Sequence, residues 1–188
     1  MRKRFARRRL LSLRVVRRFA RKEDGAAAIE FAIVGIPFLA LFLAIFEAAF
    51  MFFAGQTLET AVADSSRLIM TGQAQTEGMS QAAFKSAVCA RVYGLFDCQD
   101  GVRIDVKTYQ SFATVDNSSP LDANGNFQNN QVYQPGGAGD IVVVRLFYQW
   151  PVYVSLLQSG AGNKRLLIAT AAFRNEPFGA TTSPPPSN

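Results

Sequence analysis

The chain is predicted to be α+β. A long N-terminal helix, transmembrane in its first part, and a second helix pack on a small antiparallel sheet of three to four strands. Three features of the sequence carry this expectation. Residues 31–54 contain a single charge, Glu47, and such a stretch as a helix spans about 30 Å of hydrocarbon. Leu58, Ala61, Val62, Ser65, Leu68 and Ile69 then recur at helical spacing, a stripe narrow enough to lie on a sheet. Three strand-like runs follow, separated by turn-rich segments.

The first 25 residues are basic. They hold eleven of the twenty Lys and Arg but two of the fourteen acids, so residues 26–188 carry nine bases against twelve acids, a net of −3. The formal charge of +6 therefore belongs to a leader. A nucleic-acid partner would depend on that leader alone, beside an apolar span, and none is expected. Lys and Arg flanking a span resist translocation and favour anionic headgroups. The leader is thus expected in the cytoplasm, and everything past Ala54 outside it.

An ordinary secretory signal has a shorter apolar core than this one. A small-x-small pattern does occur at Ala61-Val62-Ala63, but inside the predicted helix. An Arg-rich organellar presequence fits the composition of the first twenty residues and leaves the spacing from Gly25 to Glu30 unexplained.

Two features interrupt the apolar helix. Pro37 has no N–H to give the carbonyl of Ile33, and Gly35 loosens the same turn, so a bend or short unwound stretch is expected there. Glu47 lies seventeen residues after Glu30, about 25 Å along a helix, and is read as a carboxylate reaching water at the outer interface in preference to one contacting a partner.

Beyond the span the helix is expected to run to Met70 and break at Thr71-Gly72. Ser80 is placed to cap a second helix, with Met79 and Phe84 at the positions of a hydrophobic staple. That helix is expected to reach about Tyr93 and stop at Gly94. Cys89 and Cys98, the two cysteines of the chain, would meet an oxidising compartment. Their bridge would stabilise the domain by roughly 2.5–3 kcal/mol in the chain-entropy picture.

The strands are expected at Val102–Thr108, where apolar and charged residues alternate, at Ile141–Trp150, apolar on both faces and hence central, and at Leu166–Arg174, rich in alanine. The polar stretch 114–139 is either a surface loop or mobile. The tail, residues 179–188, is expected to be disordered.

The span's beginning is distinctive. The stretch GAAAIEFAIVGIPFLAL, Gly25 to Leu41, sets small residues after a glycine at the end of a basic leader, then Glu30, then an apolar helix with an early proline. It resembles the TadE/TadG-like minor pseudopilins of Tad (Flp-type, type IVc) pilus systems, and the ending AAFRNEPF, Ala171 to Phe178, is similar to that family too.

The resemblance implies a bacterial inner-membrane protein with its C-terminal domain in the periplasm. It implies cleavage between Gly25 and Ala26 by a prepilin peptidase, and partnership with other Tad pseudopilins and pilus assembly proteins. Residues 1–25 would be the removed leader, 26–54 the transmembrane and assembly helix, and 55–178 the pilin-like domain. The amine freed at Ala26 falls four residues before Glu30, on one helix face. In a bundle of subunits it would pair with a neighbour's carboxylate, setting axial register more than adding stability. A bland alternative is that Glu30 favours the positive end of the helix or reaches the headgroups.

Nothing in the sequence suggests catalysis or a cofactor. There is no histidine, which removes the commonest general base and metal ligand. No phosphate loop or nucleophile elbow is present. Asp97, Asp100 and Asp105 are read as solvated surface charges. The rival to a pilus component is an uncleaved single-pass protein whose domain outside the cytoplasm binds an envelope partner.

Overall fold

The computed structural model describes residues 25–92, 94, 97–154 and 163–179. The predicted leader up to Asp24, the tail from Ala180, and Tyr93 lie outside the described residues. The described residues divide into two compact units, with the boundary between Phe46 and Glu47.

The first unit contributes the start of helix α1, Ala26–Met70. The helix is unbroken through Gly35 and Pro37, with no unwound turn. Pro37 removes one backbone hydrogen bond, and the bonds of the neighbouring turns suffice to keep the chain helical. Ile33, Ile36, Phe38 and Leu41 are exposed, and no residue of the most apolar 18-residue window is buried. By length and composition this helix is able to cross a membrane.

In the second unit, the remainder of α1 packs one stripe inward. Ala54, Leu58, Ala61, Val62, Ser65 and Ile69 are buried. Leu68 is half-buried, and Ser66 is buried on the neighbouring flank. The Ser65 hydroxyl donates back to the carbonyl of Ala61, which lets a small polar residue sit in the core without an orphan donor.

A single turn α2, Gln73–Thr76, follows the break at Gly72. Helix α3, Gln81–Cys89, begins as the sequence predicts, since the Ser80 hydroxyl accepts from the N–H of Ala83 at 3.2 Å. It ends four residues before Tyr93. Cys89 is bonded to Cys98 on the short helix α4, Cys98–Gly101, with Cα atoms 5.5 Å apart. The chain must therefore leave the helix at once to return within nine residues. Gly94, at φ 56°, lies on that return rather than at the helix end.

Strands β1 (Arg103–Tyr109), β2 (Ile141–Pro151) and β3 (Lys164–Arg174) form one antiparallel sheet in the order β1-β2-β3. Val106 pairs with Val144, and Val144 with Ala171. The central strand is the one apolar on both faces, with Val142 to Phe147 all buried. Helices α1 and α3 share a core with Val102, Ile104, Val106, Val144, Leu146 and Ala169.

The polar segment between β1 and β2 is an irregular but closely bonded surface loop. Residues 132–134 run parallel along the outer edge of β1. There Val106 donates to Val132 and accepts from Gln134, at 2.8 and 2.9 Å. The Gln149 amide donates to Gly125 and the Arg145 guanidinium to the carbonyl of Asp116. The segment is thereby tied to the central strand.

Candidate processing and assembly site

The N-terminal site is a run of exposed backbone and one carboxylate. Gly25 immediately precedes α1, and a Cβ added there would meet nothing within 4 Å. Gly25 therefore offers no side chain and, among the described residues, no packed neighbour at this bond. Ala26, Ala27, Ala28 and Ile29 form the exposed first turn. Glu30 is exposed on the next turn and, among the described residues, its carboxylate has no hydrogen-bond or ionic partner. Gly35 is not demanded by crowding, because a Cβ there would meet the Phe31 ring at an ordinary 3.5 Å.

Glu47 differs from the sequence expectation. It is 9% exposed and does not reach for water. Its two carboxylate oxygens accept from consecutive backbone N–H groups, Tyr153 at 2.5 Å and Val154 at 2.7 Å. Two donors on one carboxylate make charge-assisted bonds, shorter and stronger than neutral ones. Glu47 thereby fastens the chain leaving β2 to α1, inside the second unit. The break in the apolar run was visible in sequence; a partner 106 residues away was not.

Asp105 also departs from expectation. Asp97 and Asp100 are exposed, but Asp105 is buried at 3% exposure, not solvated. One oxygen accepts from the Arg145 guanidinium at 2.8 Å and has the Lys107 ammonium at 3.3 Å, while the other accepts from the N–H of Val132. Arg145 also lies 5.6 Å over the Phe147 ring. Side chains alternate along β1, so Ile104 and Val106 enter the core shared with the helices and Asp105 takes the opposite face. There it stands directly across from Arg145 on β2, where opposite charges attract.

The ending AAFRNEPF closes the second unit. Asn175 is buried, and its amide donates to the carbonyls of Pro135 and Gly137 at 3.0 and 2.9 Å. The N–H of Glu176 donates to the carbonyl of Met70 at 2.9 Å, satisfying an orphan acceptor at the end of α1. Phe178 lies against Gly72, where a Cβ would come within 2.2 Å of the ring. The motif caps the long helix from the far end of the chain.

A family model described as TadE-like protein matches residues 25–67. The matched stretch begins at Gly25 and ends three residues before the end of α1. No curated protein and no solved structure matches the chain. Over those residues the chain is similar to TadE-like proteins.

Proposed function

We propose that this protein is a minor pseudopilin, a membrane-anchored, non-enzymatic component of Tad (Flp-type) pilus biogenesis and surface attachment, matured by a prepilin peptidase between Gly25 and Ala26. The carrying observation is the start of α1 itself. An open glycine, a small-residue first turn and a Glu30 unpartnered among the described residues head a helix whose apolar surface is uncovered.

Removal of the leader takes away eleven basic residues that oppose extraction from the cytoplasmic face. It leaves one amine near Glu30. A neighbouring subunit's Glu30 then neutralises that amine, and the apolar surfaces of the helices bury one another. The C-terminal domain works in the periplasm and contacts other pseudopilins and assembly proteins of the same system.

N-terminal sequencing of the membrane-extracted protein tests this reading. A start at Ala26 that requires the peptidase is expected. An intact Met1 in peptidase-competent cells would instead support the uncleaved, partner-binding alternative.

A further inference from the structure

A cavity of about 420 Å³ opens at the outer edge of β1, between the first turns of α3 and the loop before residue 132. Buried Ile104 lies in its wall, and Lys85 and Arg103 both face it. The amide side chains of Gln81, Asn129 and Gln131 complete the rim. Among the described residues, no carboxylate lines it.

The two cations line the same cavity. Lys85 is held below the usual lysine range, first by burial and next by repulsion from Arg103. That repulsion exceeds the opposing pull of either Asp100 or Asp97. Asp97 accepts from the N–H of Asp100 as the cap of α4, and among the described residues neither acid forms an ion pair with Lys85. The Lys85 ammonium donates to the carbonyl of Gln99 at 2.5 Å, a neutral acceptor. The Arg103 guanidinium lies 5.9 Å over the Phe127 ring and, among the described residues, forms no ion pair. Two like charges, a half-buried Lys85 and an exposed Arg103, thus share a concave site within a chain that is net acidic past its leader. Such an arrangement favours the entry of an anion.

We infer that this cavity binds a carboxylate presented on an acidic peptide segment of a partner protein. Arg103 supplies a planar fork suited to a carboxylate and Lys85 a point charge beside it. The amides match a peptide's own N–H and C=O groups. Gln81 already reaches the carbonyl of Ile104 at 3.4 Å, a long bond that an incoming segment readily displaces. The volume suits one or two side chains, not a folded domain. Cleavage at Gly25 is not required for this binding.

The test uses the full chain in a non-ionic detergent and a fluorescein-labelled heptapeptide bearing two glutamates, followed by fluorescence anisotropy. Because the basic leader also attracts acids, wild type is compared with K85Q/R103Q, in which the leader is unchanged. Loss of the two cations is expected to weaken binding at least tenfold, about 1.4 kcal/mol. The glutamine version of the peptide is expected to show no difference between the two proteins.

Asn129→Asp provides an independent arm, since a carboxylate built into the rim occupies the cations. It is expected to weaken peptide binding and to raise the melting temperature. Equal affinity of wild type and K85Q/R103Q would overturn the inference. So would displacement of the peptide by inorganic phosphate at matched concentration, which would assign the cavity to a free anion.

Discussion

Glu30 and Glu47 are the same carboxylate on one helix, and their surroundings give them different work. Glu30 is exposed and unpartnered among the described residues, so in hydrocarbon it requires a cation from elsewhere. Glu30→Val is expected to leave cleavage at Gly25 largely intact and abolish recovery of the protein in pilus-associated complexes, read by co-purification. Normal assembly of that variant would refute the register role. Asp105 and Arg145 illustrate the opposite case, a pair whose charges are satisfied internally. Asp105→Ala leaves a buried guanidinium uncompensated and is expected to cost about 3–5 kcal/mol. Replacing both by apolar residues of similar volume is expected to recover most of that loss, and a double-mutant cycle by urea unfolding measures the coupling.

At the scale of elements, α1 is fastened to the rest of the second unit at three places: by Glu47 at its middle, by its buried stripe, and by the N–H of Glu176 at its end. The end is the most constrained. Gly72 has φ 81° and lies against the Phe178 ring, so an alanine there meets both a left-handed backbone penalty and a clash. Gly72→Ala is expected to destabilise by about 2–4 kcal/mol, as read from denaturant midpoints. Combining it with Phe178→Ala removes the overlap and leaves mainly the backbone term. The Cys89–Cys98 bridge governs another element, shortening α3 to Cys89 because the return path is only nine residues long.

For the whole molecule, the proposed maturation couples a cut at one bond to a change in what the membrane will release. With its leader the chain carries +6; without residues 1–25 its side chains sum to −3. Gly25→Leu introduces a bulky side chain at the cut and is expected to block processing. The protein would then keep its full mass and remain in the membrane fraction, as measured by intact mass spectrometry and fractionation. Release of that variant into sheared pilus material would overturn the link between leader removal and extraction.

Sequence alone determined the long apolar helix, the stripe of α1, the cap at Ser80, the cysteine pair and the central position of β2. Each is written in local composition or periodicity, and the physics that reads it acts over a few residues. It also carried the family likeness, because Gly25 to Arg67 is one continuous stretch with unusual spacing of glycine, glutamate and proline. Tertiary structure decided the rest. Glu47 with Tyr153 and Val154, Asp105 with Arg145, Met70 with Glu176, and the cavity shared by Lys85 and Arg103 all join distant parts of the chain. A charged residue looks the same in sequence whether water or a partner satisfies it. Only the folded chain shows which, because burial makes the difference between the two costly.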